Sequence, residues 1–153
     1  MHSPHSHPYA GKPQWKDPFN INLTLATIDA MALRYGNHSN LFGIELMNEP
    51  SQFMSENDHA ILERFYQDSY KIIRGYSNTT IIILNELYEH CYASWNEVML
   101  EPEYYNVMID FHLYDWGGGH NSESKSKHIR DALNWGPMIE KYSRAHPVIV
   151  GEL

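Results

Sequence analysis

Four short apolar runs of the sequence each end in residues that could do chemistry. The endings are Asn48-Glu49-Pro50, Asn85-Glu86, His112-Leu113-Tyr114 and Gly151-Glu152. Three of them hold a carboxylate, and the other holds an imidazole and a phenol two residues apart, on the same side of an extended segment. Two carboxylates brought to one place could cleave a glycosidic bond, one as general acid and the other as nucleophile or base.

This chemistry requires two carboxyl groups with different proton affinities. Protonating a sugar oxygen near neutral pH requires a carboxyl with a raised pKa, whereas its partner must stay ionised. His112 and Tyr114 are candidates to support the ionised partner. Taken singly, an acidic residue at a strand end more often caps a helix or faces water, and Glu86 has no further sign of catalysis. For Glu45, inside an apolar run, we expect a structural, hydrogen-bonded carboxylate.

The elements that must position these residues are strands alternating with helices. The four apolar runs are short and bounded by turn-forming residues, which predicts buried strands over 41–48, 79–84, 107–112 and 147–152. Apolar residues at helical spacing predict helices from Asn20 to Tyr35, with Gly36 as a left-handed C-cap, and from near Ser55 to Gly75. One or two further helices fit 124–142, with a break at Gly136-Pro137.

This alternation predicts an α/β fold with a parallel sheet and right-handed crossovers. In such folds the chemistry collects beyond the carboxyl ends of the strands, where the residues named above lie. The first nineteen residues hold four prolines and are predicted to form a loop.

Composition and charge exclude several classes of protein. The chain has 153 residues, 42% apolar and 13% aromatic, which indicates one globular domain rather than a disordered segment. With 11 basic residues against 19 acidic ones, and the basic residues scattered, nucleic-acid binding is not expected. No apolar run approaches the roughly 20 residues of a membrane-spanning helix. The single cysteine, Cys91, cannot form an internal disulfide.

The order of the motifs resembles one enzyme family. The segment GIELMNEP, followed by a strand ending DFHLY and another ending VIVGEL, is similar to the glycoside hydrolases of family five, especially the fungal-type exo-β-1,3-glucanases. The family also carries an LNWG-like segment that ends the helix before its seventh strand, matched here at 133–136. The resemblance implies a (β/α)8 TIM barrel, of which this chain holds about strands four to seven. Residues 1–153 would form a single incomplete domain, with 1–19 as the loop after a third strand.

The resemblance also implies the roles of the main site residues. Glu49 would be the acid/base and Glu152 the nucleophile of a retaining β-glycosidase. Asn48 would contact the sugar 2-hydroxyl or orient the nucleophile. His112 would bind substrate near the cleavage point, and Tyr114 would donate its hydroxyl to Glu152.

Two further residues are weaker candidates for substrate binding. His2 stands where the family has a histidine just after its third strand. Trp116, followed by three glycines, could stack on a sugar ring or simply pack against the protein. His2, His5 and His7 lie in a proline-rich stretch without an acidic or cysteine partner nearby, so we expect a cleft-lining loop rather than a metal site. The implied reaction needs no cofactor.

The function predicted from the sequence is hydrolysis of β-glucan oligosaccharides or polysaccharides by an exo-β-1,3-glucosidase. Alternatives with the same mechanism are an endo-β-1,4-glucanase, a mannanase and a glycolipid-directed β-glucosidase; an alternative of another class is an inactive carbohydrate-binding fragment or pseudoenzyme. Four strands are half a barrel, and the family's arginine of strand two and tryptophan of strand eight have no counterpart, so we expect the isolated chain to be inactive. Three N-glycosylation triplets and the family's usual setting predict an extracellular or cell-wall location.

Overall fold

The fold is a parallel sheet with helices between its strands, seen in a computed structural model that describes residues 15–50, 56–85, 95–113 and 125–152. The strands are β1 (Gly43–Glu45), β2 (Ile81–Asn85), β3 (Val107–His112) and β4 (Val148–Glu152). The helices are α1 (Pro18–Tyr35), α2 (Glu56–Arg74) and α3 (Lys125–Tyr142). All three strand pairs are parallel, so the predicted α/β class is confirmed.

The strands lie in the sheet in the order in which they occur in the sequence, β1-β2-β3-β4. Each crossover therefore advances by one strand in the same direction, and right-handed crossovers place all the helices on one face of the sheet. A barrel has this sequential order, whereas a doubly wound sheet reverses its direction. The four predicted strands are all present, although β1 is shorter than its apolar run.

The hydrophobic core fills the space between the helices and one face of the sheet. Because side chains alternate along a strand, every second residue points into this core, and Ile44, Ile82 and Ile109 are almost fully buried there. The opposite face carries polar side chains near the strand ends. These polar residues are Glu45, Asn85, Asp110 and His112.

The start of α1 is set by its cap. The Oδ1 atom of Asp17 accepts a hydrogen bond from the backbone N–H of Phe19 at 2.8 Å, and Pro18 occupies the first turn, where its missing N–H costs nothing. The helix therefore begins two residues earlier than predicted, and residues 18–19 are helical rather than part of a loop.

The end of α1 differs from the prediction in its backbone conformation. Gly36 has φ −54° and ψ −31°, so the prediction of a left-handed cap was wrong. Its N–H donates to the carbonyl oxygen of Ala32 at 2.8 Å. A Cβ on Gly36 would lie 2.5 Å from the carbonyl oxygen of Ala32 and 3.3 Å from Cβ of Ser77, so close packing accounts for the glycine.

Helix α3 continues without a break through Gly136 and Pro137, so the segment forms one helix rather than two. Pro137 lacks the N–H that would bond the carbonyl of Leu133, and these residues are exposed, so water can satisfy that carbonyl. Trp135 of the LNWG segment lies inside this helix, partly buried against the core. The segment does not end the helix, contrary to the prediction.

Arg74 at the end of α2 ties this helix to the starts of β2 and β3. Its guanidinium donates to the carbonyl oxygens of Ser77, Thr80 and Tyr105, the shortest bond being 2.7 Å. It also lies 4.7 Å and 4.6 Å from the ring centroids of Tyr70 and Tyr105. The position of α2 relative to both strands is thereby fixed.

Large apolar side chains are exposed on the first and last helices. Phe19 and Leu33 on α1 are 73% and 67% exposed, and Leu133 on α3 is 71% exposed. In a closed barrel, neighbouring helices cover such faces. Among the helices that the structure describes, none combines the length and the apolar character needed to cross a membrane.

Candidate active site

Polar residues from all four strands converge at the carboxyl edge of the sheet. Glu49 follows β1, His112 ends β3 and Glu152 ends β4. One side-chain ligand atom from each of these three residues lies within 4.8 Å of the other two. The structure therefore brings together the two carboxylates named from the sequence and sets an imidazole against them.

His112 lies behind the two carboxylates, with its side chain only 3% exposed. Its Nδ1 atom is 2.8 Å from Oε1 of Glu49 and 3.7 Å from Oε2 of Glu152. Its Nε2 atom is 2.9 Å from Nδ2 of Asn85 and 3.4 Å from Oδ2 of Asp110. Both ring nitrogens thus face polar groups of the protein, whereas the Glu49 and Glu152 side chains remain 26% and 39% exposed.

The charges around this ring perturb several pKa values. Burial lowers the pKa of His112, but the hydrogen bond to Glu49 and the charges of nearby carboxylates outweigh burial and raise it above its usual value. Burial raises the pKa of Asp110, against the effect of its hydrogen bonds. Burial, and then the charge of Asp110, raise the pKa of Glu45. Two carboxyl groups of the site, those of Asp110 and Glu45, therefore hold protons more tightly than in water.

The backbone at Glu49 is strained. Its φ of 42° lies in the left-handed region, which residues other than glycine seldom adopt. The backbone N–H of Glu49 donates to Oδ1 of Asn85 at 3.1 Å, and the following Pro50 is fully buried. Contacts on both sides hold this turn, which presents the Glu49 carboxylate to His112.

A β-bulge on β4 brings Glu152 to the same face as His112. The two strands pair regularly as far as Val150, after which His112 pairs with Glu152 and skips Gly151. With regular pairing, Glu152 would point to the opposite face of the sheet. The Gly151 N–H donates to Oδ1 of Asp110 at 2.7 Å, and a Cβ on Gly151 would collide with that carboxylate. Only glycine fits this position without displacing Asp110.

In the full-length protein, Gly151→Ala should lower kcat/KM on the β-glycosides expected from the sequence by about 10- to 100-fold, because the added methyl group must move Asp110 or open the bulge and so turn Glu152 away. Gly136→Ala is the matched control, since nothing lies within 4 Å of a Cβ at that position. Steady-state kinetics with circular dichroism of both variants would check this. Full activity of a folded Gly151→Ala protein would contradict the role of the bulge.

Of the other residues predicted from the sequence, Asn48 lies directly before Glu49 and is partly buried. His2, Tyr114 and Trp116 lie outside the described residues, as does Glu86, so their assigned roles stay predictions.

Two residues of the site were given no role from the sequence, although Asn85 was named as part of a strand ending. Asn85 and Asp110 are 1% and 4% exposed and pair with each other across β2 and β3. The available signal was their place among apolar neighbours near strand ends, with Asp110 two residues before His112 and hence on the same face. Glu45 was predicted to be structural, and one of its carboxylate oxygens is buried without a hydrogen bond to the described residues.

Two groups of side chains have spacings that a cation could use. They are Glu49 with His112 and Glu152, and Glu45 with Asp110 and His112, each with ligand atoms within 4.8 Å. His112 belongs to both groups, and both of its nitrogens already take part in hydrogen bonds. Hydrogen bonding therefore accounts for much of the close spacing in this part of the described chain.

Comparison with known sequences gives a family and a set of relatives. The family model described as "Cellulase (glycosyl hydrolase family 5)" matches residues 1–153. Glucan 1,3-beta-glucosidase 2 of Wickerhamomyces anomalus is 30% identical over 126 residues, covering 80% of this chain and 29% of the relative. The probable glucan 1,3-beta-glucosidase A of Aspergillus niger is 27% identical over 145 residues, covering 94% and 33%. The chain thus spans about a third of the length of these curated relatives.

Comparison with solved structures agrees with the fold. Endo-glycoceramidase II from Rhodococcus sp., in complex with a cellobiose-like imidazole, superposes with a TM-score of 0.68 at 18% identity, covering 89% of this chain and 34% of that one. Endoglucanase Cel5A from Thermotoga maritima gives a TM-score of 0.62 at 18% identity, covering 90% and 50%. The parallel sheet is a segment of a (β/α)8 barrel, as predicted.

The family assignment rests on agreement between independent observations. The family model covers the full length of the chain, and the sheet order is that of a barrel. Two glutamates of the expected motifs meet at the carboxyl edge of that sheet. This chain belongs to glycosyl hydrolase family 5.

Proposed function

We propose that the protein is a retaining β-glucosidase that removes glucose from the end of β-1,3-glucan. The observation that carries the proposal is the spacing of its two glutamates, since a carboxylate oxygen of Glu49 and one of Glu152 lie within 4.8 Å. Retaining glycosidases hold their carboxyl groups about 5–5.5 Å apart, whereas inverting ones need about 6.5–9.5 Å to admit a water molecule. The spacing supports double displacement.

In the first step, Glu152 attacks the anomeric carbon as the bond to the leaving sugar breaks, and Glu49 gives its proton to the leaving oxygen. A covalent glycosyl ester of Glu152 results. In the second step, Glu49 takes a proton from water, the water oxygen bonds to the anomeric carbon, and the ester bond to Glu152 breaks. Two inversions at the same carbon amount to retention.

The two roles are assigned by the motifs, and the geometry is consistent with them. The Glu49 carboxylate is oriented by its contact with His112 and by the strained backbone of Glu49 itself. Such an orientation is expected of an acid whose proton must point towards the leaving oxygen. The Glu152 side chain, 39% exposed, is open to approach by a sugar. Because His112 is buried, we propose that it orients Glu49 in addition to any contact with substrate.

The substrate is proposed from the relatives and from the predicted contacts. Both fungal relatives named above are glucan 1,3-beta-glucosidases or probable ones, which supports a β-1,3-glucan. In the proposed site, Asn48 contacts the sugar 2-hydroxyl or orients Glu152, and His2, Tyr114 and Trp116 complete the sugar-binding surface.

An extracellular or cell-wall location is part of the proposal. The asparagines of the three N-glycosylation triplets, Asn22, Asn37 and Asn78, are all exposed, so a glycan at any of them would not enter the core. A glucan of the cell wall would be within reach of an enzyme in that location.

The test is a substrate panel on the full-length protein. We expect hydrolysis of β-1,3-glucan at least about tenfold faster than that of β-1,4-glucan, β-mannan or a glucosylated lipid, with glucose as the product. Proton NMR at early times should show the β-anomer first, because the mechanism retains configuration. The α-anomer as first product, or no hydrolysis of any β-glycoside, would contradict the proposal; preference for another sugar would replace only the substrate.

A further inference from the structure

One side-chain amide, that of Asn85, contacts both Glu49 and His112, which are themselves 2.8 Å apart at Oε1 and Nδ1. Its Oδ1 atom accepts from the backbone N–H of Glu49 at 3.1 Å, and its Nδ2 atom lies 2.9 Å from Nε2 of His112. Asn85 is 1% exposed, and its backbone carbonyl oxygen accepts a hydrogen bond from the Tyr66 hydroxyl at 3.0 Å. Backbone and side-chain contacts therefore hold the amide in one position.

The orientation of this amide follows from the chemistry of its partners. A backbone N–H can only donate, so the amide atom that faces Glu49 must be the oxygen. The NH2 group of Asn85 then faces His112, and since NH2 only donates, Nε2 must be an unprotonated acceptor. A neutral imidazole carries its single proton on the other nitrogen. The Nδ1–H of His112 therefore donates to Oε1 of Glu49, at 2.8 Å.

We propose that Asn85 is a positioning residue that keeps His112 neutral, with its proton on Nδ1, and thereby directs the acid proton of Glu49 to Oε2. The proposal rests on the acid/base role of Glu49 in the proposed function. With Oε1 occupied as the acceptor of Nδ1–H, Oε2 is the oxygen that carries the proton to the leaving sugar. The same amide supports the left-handed backbone at Glu49, so it sets both the position of the acid and the location of its proton.

The groups around His112 favour the opposite state, which is why a fixed donor matters. Glu49, Glu152 and Asp110 face the ring from the β1 turn, from β4 and from β3, and Glu45 on β1 lies beside Asp110. These carboxylates favour an imidazolium. To take a second proton, Nε2 must exchange the amide NH2 for Oδ2 of Asp110, 3.4 Å away.

An imidazolium in this place would leave less of the acid in its protonated form. A full positive charge against Oε1 of Glu49 stabilises the carboxylate, so fewer molecules would carry the proton that the sugar must receive. A neutral Nδ1–H orients Glu49 in the same way but stabilises its carboxylate form less. The amide of Asn85 thus opposes the surrounding carboxylates at the one atom, Nε2, where the second proton would bind.

The direct test is the protonation of His112, read from the ¹⁵N chemical shifts of its ring in the full-length protein at about pH 8. We expect a protonated Nδ1 and an unprotonated Nε2. A neutral ring with the proton on Nε2, or an imidazolium at that pH, would overturn the proposal. The measurement needs no substrate: the expected tautomer in a protein that cleaves no β-glycoside would support the assignment of the ring and overturn the proposed function.

Two isosteric exchanges act on Nε2 in opposite directions. Asn85→Asp keeps an oxygen for the Glu49 N–H but sets a carboxylate against Nε2, so both ring nitrogens should be protonated at the same pH. Asp110→Asn keeps an oxygen for the Gly151 N–H and leaves Asn85 unchanged, so the tautomer of His112 should be retained. The two variants are equal in size and differ in which residue, 85 or 110, carries the amide N–H donor near Nε2 of His112.

Kinetics of Asn85→Asp separate positioning of the acid from a general structural role. On unactivated glucan, kcat/KM should fall about tenfold or more, whereas on aryl glucosides with activated leaving groups it should change by less than about threefold. Equal losses on both substrates, or an unchanged tautomer, would overturn the proposal. If Asn85→Asp does not fold, loss of the Nδ1–H tautomer in Asp110→Asn would assign the control of His112 to Asp110 and overturn it equally.

Discussion

Glu152→Gln should remove glycoside hydrolysis, lowering kcat/KM by at least about 10⁴-fold on glucan and on activated aryl glucosides alike. The reason is that an amide nitrogen or oxygen cannot form the glycosyl ester on which both steps depend, however good the leaving group is. A 10⁴-fold loss corresponds to about 5 kcal/mol of transition-state stabilisation. Initial rates on both classes of substrate, with the fold checked by circular dichroism, would measure it.

The control for this prediction is Glu140→Gln, which removes the same charge from an exposed position on α3. It should leave kcat/KM within about twofold, because an exposed charge away from the site contributes little. A second measurement uses Glu152→Ala with azide, which can enter the space of the missing carboxylate and give a glycosyl azide of inverted configuration. Substantial hydrolysis with retention in Glu152→Gln would place the nucleophile elsewhere.

The second large effect is expected for Glu49→Gln, and it should depend on the substrate. Glucan has a poor leaving group that needs a proton, so its kcat/KM should fall about 10²- to 10⁴-fold. An aryl glucoside whose leaving group departs without a proton should lose far less in the first step, and slow deglycosylation should then limit kcat. The comparison of the two substrates under single-turnover and steady-state conditions isolates the acid.

The pH dependence gives an independent measurement of Glu49. In the unchanged protein, the basic limb of the kcat/KM profile reports loss of the acid proton, so this limb should disappear in Glu49→Gln. The acidic limb, which reports ionisation of the nucleophile, should persist. Equal and total loss on every substrate, or a basic limb that survives the substitution, would contradict the assignment of Glu49 as the acid.

Both large effects depend on a site built from several strands at once. Glu49 is held by Asn85 of β2, and Glu152 takes its direction from a bulge beside Asp110 of β3. The smaller losses expected for Gly151→Ala and Asn85→Asp arise because these residues place the glutamates without reacting themselves. The expected losses of activity are therefore largest for the two glutamates, which react with the sugar, and smaller for the residues that only position them.

Several features of the protein could be read from the residues in order. Short apolar runs that stop at polar residues predicted the four strands, because a strand buried on both faces carries apolar side chains along its length. Sequential alternation with helices predicted a parallel α/β sheet, and the resemblance of the motifs around Glu49 and Glu152 to glycoside hydrolase family five implied a barrel segment. The convergence of the two carboxylates was expected because parallel strands end at one edge of a sheet.

Other features depended on contacts between residues far apart in the sequence. No local pattern shows that Gly151 is skipped in the pairing of β3 with β4. The bulge is held by a hydrogen bond from the Gly151 N–H to the Asp110 carboxylate, 41 residues earlier. The same holds for Asn85, whose amide meets Glu49 across 36 residues and His112 across 27. Gly36 has the sequence context of a left-handed cap, but its backbone is right-handed, and Ser77, 41 residues later, packs against it. Directions of side chains and locations of protons follow from such long-range neighbours, which a linear pattern does not contain.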